Sequence, residues 1–335
     1  MTDSNLDANA ARINILSIDG GGIRGIIAAV LLNALEAEVG RPLAEVFDLI
    51  AGTSTGGIIA LAIGTRPNHG QPYSSSDLVE LYQNCGTRIF TKHWYSGAKA
   101  LVGPKYSPNG LESVLEECFG ETQLGSALTP LLISSYDLAS EVPYFFKSHR
   151  IGADPSWNWP AKVIGRATSA APTYFPPLRL VEKNKERALV DGGICVNNPG
   201  MAAYAEAHVL YPWAKEFLIV VVGTGDRDDR ISYRRAKTWG LLGWAKQIVP
   251  VMMDSVSESI DYELDAIVGP APCRSHYRLQ PCLNIASPEM DDVDPQNLAN
   301  LKKEAQNYLS QHGSEISQIC TELKRGRGSQ LPGTG

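Results

Sequence analysis

The pentapeptide Gly52-Thr53-Ser54-Thr55-Gly56 limits what this chain can fold into more than any other stretch. It follows the apolar run Val46-Phe47-Asp48-Leu49-Ile50-Ala51 and precedes Gly57-Ile58-Ile59-Ala60-Leu61-Ala62-Ile63. An apolar run of strand length, a glycine-bounded turn and a run of small apolar residues predict strand, tight turn and helix in succession. A Gly-x-Ser-x-Gly in that setting is a nucleophile elbow. Its glycines permit a strained turn that lifts one hydroxyl clear of the backbone, at the mouth of a helix whose N-terminal amides attract negative charge. On its own the pentapeptide fits a Gly/Ser/Thr-rich turn without chemistry equally well, so the rest of the chain decides.

Two further glycine turns end predicted strands. Ile13–Ile18 runs into Asp19-Gly20-Gly21-Gly22-Ile23-Arg24-Gly25, and Arg187–Val190 into Asp191-Gly192-Gly193. Ile26–Val39 reads as a helix with Ile27, Val30, Leu31, Ala34 and Leu35 on one apolar face. More helices are expected from an N-cap at Asp77, over 109–119, over the small residues after Val163 up to the prolines, after Asn197-Asn198-Pro199, over 247–268 and, last, over 291–311. The stripe Val249, Met252, Val256, Ile260, Leu264 and Ile267 reads as core packing. Leu131–Tyr136 and Pro143–Phe146 look like a strand pair, and Phe217–Val222 like a buried strand closed by Gly223-Thr224-Gly225. This order predicts an α/β fold of three layers, α/β/α, around a mostly parallel sheet. In a parallel sheet the carboxyl ends of the strands share one edge, so the three glycine turns converge there. Residues 1–11 read as a disordered lead-in, 12–323 as a single domain (motif-bearing over 13–225, helical over 226–323), and 324–335 as a flexible tail. The irregular aromatic stretch 89–108, with Trp94, Tyr95 and Tyr106, suits a packed surface loop or a lid.

A formal net charge of −6 over 335 residues opposes a DNA- or RNA-binding role, which needs a basic field. The first residues, Met1-Thr2-Asp3-Ser4, carry no basic n-region or apolar h-region, and no apolar run reaches the ~18 residues of a membrane span. The cysteines Cys85, Cys118, Cys195, Cys273, Cys282 and Cys320 form no Cys-x-x-Cys pair and the histidines no metal-ligand spacing, so a cytoplasmic protein without metal or cofactor is expected. Gly20-x-Gly22-x-x-Gly25, with Glu45 beyond it, also fits a dinucleotide fingerprint. Arg24 inside the turn and a serine elbow within thirty residues weigh against that reading.

Together the three turns supply a hydrolytic set. Ser54 is the candidate nucleophile and Asp191 the candidate base, acting directly or through one water. The amides of Gly20, Gly21 and Gly22, with that of Thr55, are the candidate oxyanion hole. Arg24 either holds the loop or attracts an anionic substrate group. This set resembles the patatin-like phospholipases: Asp19–Gly25 looks like the family's oxyanion loop, Gly52–Gly56 its nucleophile elbow and Asp191–Gly193 its aspartate motif. Ala167–Phe175, Asn197–Pro199 and Gly223–Gly225 also look like family blocks, so the resemblance spans about residues 13–225. One departure is Gly193, where many members have alanine. The resemblance implies a Ser54–Asp191 dyad without histidine and without metal, supported by Arg24, Gly25, Gly52, Gly56, Gly192 and Gly193. It implies hydrolysis of phospholipid, lysophospholipid or other lipid esters.

The C-terminal third, through Met253-Asp254-Ser255, Tyr277-Arg278-Leu279-Gln280 and Ala286-Ser287, resembles bacterial patatin-like proteins of this size. Some of these are anti-phage effectors activated by cyclic dinucleotides. On that resemblance the basic, tryptophan-bearing segment 226–246 is open to three readings: a seat for a phosphate-bearing activator, a solvated face, or a surface that approaches an anionic membrane transiently, which would place the protein at the inner membrane. An oligomer is open. A Ser-His-Asp triad needs a histidine after the acid; His208, His276 and His312 qualify by order, and only His276 reads as lying in a loop. The same residues would also serve an acyltransferase that uses Ser54, or a silent lipid-binding module.

Overall fold

The computed structural model describes residues 12–67, 70–90, 103–227, 231–268 and 276–325. The expected lead-in 1–11, Trp94, Tyr95, Cys273 and the tail beyond Arg325 lie outside the described residues.

In chain order the elements are β1 Ile13–Ile18, α1 Gly25–Val39, α2 Leu43–Val46, β2 Leu49–Thr53, α3 Thr55–Gly64, α4 Ser75–Ile89 and α5 Pro108–Phe119. The chain continues through β3 Leu131–Asp137, β4 Val142–Lys147, α6 Ala161–Thr168, β5 Leu178–Glu182, β6 Lys185–Asp191, α7 Gly193–Val196, α8 Gly200–Leu210 and β7 Phe217–Val222. The last part holds β8 Asp226–Arg227, α9 Tyr233–Ala236, α10 Leu241–Val268, β9 His276–Leu279, β10 Cys282–Leu283, α11 Pro295–Gln311 and α12 Gly313–Arg325.

Among the described residues the main sheet has eight strands in the order β5-β6-β3-β2-β1-β7-β9, with β4 also paired to β3. The block β3-β2-β1-β7-β9 is parallel, whereas β4 and β6 run antiparallel to β3 and β5 antiparallel to β6. Helices cover both faces, giving the expected three layers with a mixed sheet. Alternate residues of the central strands feed two cores, as a strand buried on both faces requires. Leu16, Ile18, Leu218, Val220 and Val222 pack with α1, α3–α6, α11 and α12. Ile13, Ile15, Phe217, Ile219 and Val221 pack with Ala203 and Ala207 of α8 and Leu264 of α10. Because α1 sits between the sheet and the helices α4, α11 and α12, its residues from Gly25 to Leu32 are all buried, in place of the single apolar face expected.

Local chemistry moves several expected boundaries. Val46 closes the short helix α2, so the strand before the elbow starts at Leu49. Helix α4 is capped by Ser74, three residues before the expected Asp77. The Asp77 N–H donates to Ser74 Oγ and the Ser74 N–H to Asp77 Oδ2, a reciprocal capping box. Helix α6 stops at Thr168, ahead of the prolines. Helix α10 begins at Leu241, and of its expected core stripe Met252 and Ile267 are exposed while Met253 is buried. Strand β9 and helix α12 lie where no element was expected, and Lys324 and Arg325, assigned to the tail, belong to α12.

Candidate active site

The elbow forms where β2 hands over to α3. Ser54 has φ 54° and ψ −123°, a conformation that costs a non-glycine residue about 1–3 kcal/mol and persists only where its surroundings hold it. They do so on both sides of the serine: its N–H donates to Thr168 Oγ1 at 2.8 Å and its carbonyl accepts from Ile58 N–H at 3.1 Å. Gly56 lies so close to β1 that a Cβ there would sit 2.2 Å from the Ile18 carbonyl oxygen, and Gly52 faces the Gly56 backbone across the turn. With the backbone polar groups of Ser54 engaged, its hydroxyl is the group left to project into the cleft.

Asp191 reaches that hydroxyl by a route other than the shared carboxyl edge of a parallel sheet. Strand β4 runs along one edge of β3, so β2 and β6 share the other: Thr53 pairs with Ser134, and Asp191 with the next residue, Ser135. The two strands therefore approach each other end-on from opposite directions, and their last residues meet. Strand β6 is antiparallel because it is the second arm of a hairpin. Lys183 and Asn184 at its tip both have positive φ, 49° and 64°, the signature of a two-residue turn matched to strand twist. At the junction Ser54 Oγ donates to Asp191 Oδ2 at 2.6 Å, and Gly193 N–H donates to Asp191 Oδ1 at 2.7 Å. Gly192 turns the chain against Ser134. Asp191 is 1% exposed, and this burial pushes its pKa up from 3.8 to about 7, against the opposing hydrogen bonds from Ser54 and Gly193.

The third turn, after β1, lies beside the other two. The Asp19 N–H donates to the Val222 carbonyl, and its side chain pairs with Arg278 on β9 at 2.6 Å. Gly22 has φ 59°, and a Cβ on it would meet the Met290 carbonyl oxygen at 2.3 Å, so only glycine fits. Arg24 is buried and reaches the carbonyls of Gly21 (3.5 Å) and Gly225 (3.3 Å), bracing the first glycine turn against the last. Gly25 packs against Thr55 and Tyr82. Gly20 differs from its neighbours, since its N–H already donates to the Asn197 carbonyl at 3.2 Å. Among the described residues the N–H groups of Gly21, Gly22 and Thr55 have no hydrogen-bond acceptor, and Gly22, Ser54, Thr55 and Asp191 line one cleft.

Residues 16–204 match the family described as patatin-like phospholipase. Patatin-like protein 4 of Arabidopsis thaliana is 32% identical over 333 residues, covering 89% of this chain and 83% of that protein. Patatin-04/09 of Solanum tuberosum is 32% identical over 345 residues, covering 93% of this chain and 88% of that protein. The chain belongs to the patatin-like phospholipase family.

In this family member the cleft over Ser54 and Asp191 is open to solvent and walled mainly by apolar side chains. Leu81, Tyr82 and Ile89 of α4 face Leu111, Val114, Leu115 and Cys118 of α5, with Ile58 of α3 between them. Tyr174 and Phe175 follow α6, and Met253 comes from α10. Sequence reasoning singled out the three glycine turns that meet here but missed these walls. The apolar stripes of α4 and α5 serve core and cleft alike, and no pattern separates the two uses.

Among the described residues no histidine lines the cleft. His276, expected in a loop, is the first residue of β9, 1% exposed, with Nδ1 3.0 Å from Asp265 and Nε2 3.3 Å from Asp261. His208 packs on Tyr204 and Phe217, and His312 stacks on Tyr308. The basic segment divides. Arg234, Arg235 and Lys237 are exposed on or beside α9, whereas Arg227 turns inward beside Tyr174 and Met253. Among the described residues no group of His, Cys, Asp and Glu is arranged to hold a metal ion, and no helix is long and apolar enough to cross a membrane.

Proposed function

We propose that this family member is a serine hydrolase that cleaves the carboxylic esters of phospholipids or lysophospholipids through a Ser54–Asp191 dyad. The observation that carries the reading is the 2.6 Å hydrogen bond from Ser54 Oγ to Asp191 Oδ2 at the floor of an apolar cleft. Asp191, titrating at about 7, accepts the hydroxyl proton near neutral pH. Ser54 Oγ then attacks the ester carbonyl carbon. The resulting oxyanion faces the N–H groups of Gly22 and, at the N-terminus of α3, Thr55, which line the cleft, with the free Gly21 N–H next in the loop, while Gly20 acts as a spacer held by Asn197. Collapse expels the alcohol, which takes the proton back from Asp191 and leaves an acyl ester on Ser54. Asp191 next deprotonates a water that attacks this ester; collapse breaks the acyl–Oγ bond, Ser54 Oγ takes the proton back from Asp191, and the fatty acid departs. The acyl chain lies along α4 and α5, whose side chains exclude water from it.

The lipid reaches the cleft from a membrane surface. Exposed Tyr233, Leu241, Trp244, Ile248 and Met252 accompany Arg234, Arg235 and Lys237 along α9 and the first turns of α10, a mixture that suits an anionic headgroup layer.

A fluorophosphonate probe is expected to label wild type at Ser54 and not Ser54→Ala, and fatty-acid release from a lipid panel read by mass spectrometry should vanish in the same variant. Absence of labelling would favour a silent lipid-binding module. Acyl transfer to added acceptors in excess of hydrolysis would favour an acyltransferase. The resemblance also raises activation by a cyclic dinucleotide in anti-phage defence. The same lipid assay with and without such a nucleotide tests it, and equal rates remove it.

A further inference from the structure

Tyr82 belongs to two neighbourhoods at once. It sits in the middle of α4, is 4% exposed, and its side chain lines the catalytic cleft. Its hydroxyl reaches the elbow, where it forms a hydrogen bond with Thr55 Oγ1 and lies 3.4 Å from the Thr55 carbonyl oxygen. Among the described residues no other side chain bonds to Thr55. Gly25, the first residue of α1, closes the contact: a Cβ there would meet Thr55 Oγ1 at 2.3 Å and Tyr82 Oη at 2.6 Å. Helices α1, α3 and α4 thus meet at this pair of hydroxyls.

The two protons fit the three oxygens. With the Thr55 hydroxyl donating to Tyr82 Oη and the Tyr82 hydroxyl donating to the Thr55 carbonyl, neither buried hydroxyl is left without a partner. Burial pushes the Tyr82 phenol well above its ordinary value of 10, so it keeps its proton and remains a donor.

Thr55 carries the candidate oxyanion N–H that follows the nucleophile. That N–H and the Ser54 carbonyl belong to one rigid peptide plane, so its direction depends on what holds the plane. The Ile58 N–H holds the Ser54 carbonyl on one side, and Tyr82 holds the Thr55 side chain on the other. An oxyanion donor works only within about 2.7–3.1 Å of the developing charge, and a misplacement near 1 Å costs about 100-fold in rate. Helix α4 is also fixed to the other half of the hole. Gly86, one turn beyond Tyr82, rests on Ile23 beside Gly22, and the Ser75 N–H donates to Glu36 of α1 at 2.8 Å. Helix α4 therefore sets the Thr55 amide against the glycine loop. We propose that Tyr82 is a positioning residue for ester hydrolysis, its hydroxyl holding Thr55 so that the Thr55 N–H stays aimed at the ester oxygen as that oxygen becomes charged. This assignment rests on the hydrolase reading of Ser54 and deepens it, because it gives a wall of the acyl cleft a part in the rate of the reaction.

The test uses the full chain, p-nitrophenyl butyrate and two inhibitors that share one alkyl chain. A trifluoromethyl ketone accepts Ser54 Oγ at its carbonyl carbon, the hydroxyl proton passing to Asp191, and leaves an oxyanion in the hole. The matching methyl ketone stays a ketone and reads the cleft alone. Tyr82→Phe removes the hydroxyl and keeps the ring. It is expected to lower kcat/KM about 10-fold and to raise Ki for the trifluoromethyl ketone by the same factor, with Ki for the methyl ketone within about twofold of wild type. Loss of packing alone would move both ketones together. Thr55→Val should lose about as much as Tyr82→Phe, and Thr55→Ser should keep most of the activity. The double variant Tyr82→Phe/Thr55→Val should lose about 10-fold, in place of the ~100-fold product of two independent changes. The proposal is overturned by a folded Tyr82→Phe protein with wild-type kcat/KM, by an equal loss for both ketones, or by losses that multiply in the double variant. If Tyr82→Phe does not fold, wild-type rates in Thr55→Val, or a Thr55→Ser protein as slow as Thr55→Val, overturn it. A wild type that is labelled at Ser54 and hydrolyses ester, with variants that match it, removes this proposal alone. Absence of both labelling and hydrolysis in wild type removes the hydrolase reading, and this proposal with it.

Discussion

Replacing Asp191 with asparagine separates what the carboxylate does for catalysis from what it does to stability. Burial raises its pKa from 3.8 to about 7, roughly three pH units, and each unit is worth about 1.4 kcal/mol. In the unfolded chain the group ionises first, so the folded state loses stability as pH rises from near 4 to near 7. This is the sign required of a group whose pKa is raised by folding. Integrated over that window, the buried carboxylate forgoes about 4 kcal/mol by pH 8 and under about 2 kcal/mol by pH 5. Asparagine is nearly isosteric and does not ionise; its one oxygen can accept from Gly193 N–H while its amide donates to Ser54 Oγ. Any penalty for the changed hydrogen bonds is the same at both pH values. The stability of wild type relative to Asp191→Asn should therefore fall by about 2–3 kcal/mol between pH 5 and pH 8. Urea unfolding followed by tryptophan fluorescence at the two pH values measures it. In parallel, wild-type kcat/KM on a p-nitrophenyl ester should climb about tenfold per pH unit and level off near pH 7, while the variant stays inactive. A stability gap that does not change with pH, or a rate profile already flat at pH 5, would refute an Asp191 base poised near neutrality.

Three further outcomes follow from the same geometry. Arg278→Met leaves Asp19 buried without its partner at the head of the glycine loop and should destabilise the protein by about 3–5 kcal/mol at pH 8. That loss should shrink as the pH falls and Asp19 takes up a proton, and a loss under about 1 kcal/mol in urea unfolding would contradict it. Gly56→Ala places a methyl against the Ile18 carbonyl and should cost about 3 kcal/mol, lowering esterase activity as α3 shifts from β1; wild-type melting temperature and activity would show that the contact yields. His276→Ala should retain most p-nitrophenyl esterase activity, because His276 is held by Asp261 and Asp265 outside the cleft, whereas a folded but inactive variant would count against the dyad.

The sequence by itself determined the candidate site residues, because each sits in a local constraint that short stretches express. Only glycine suits Gly22 at φ 59° against the Met290 carbonyl, and only a residue without a side chain lets Gly56 touch β1. The strand–turn–helix pattern around Ser54 needs no distant contact to be legible. What the sequence left open is direction and environment. A strand's two-residue alternation reads the same whichever way the strand runs, so only the hairpin at Lys183-Asn184 and pairing to β3 bring Asp191 end-on to β2. Its raised pKa likewise depends on burial by segments far away in sequence. Whether a backbone N–H is free is another tertiary fact: Gly20 looks the same as Gly21 in sequence, and the Asn197 carbonyl alone distinguishes them. The cleft walls are assembled from α4, α5 and α10, whose apolar residues carry no local mark of facing a cavity rather than a core.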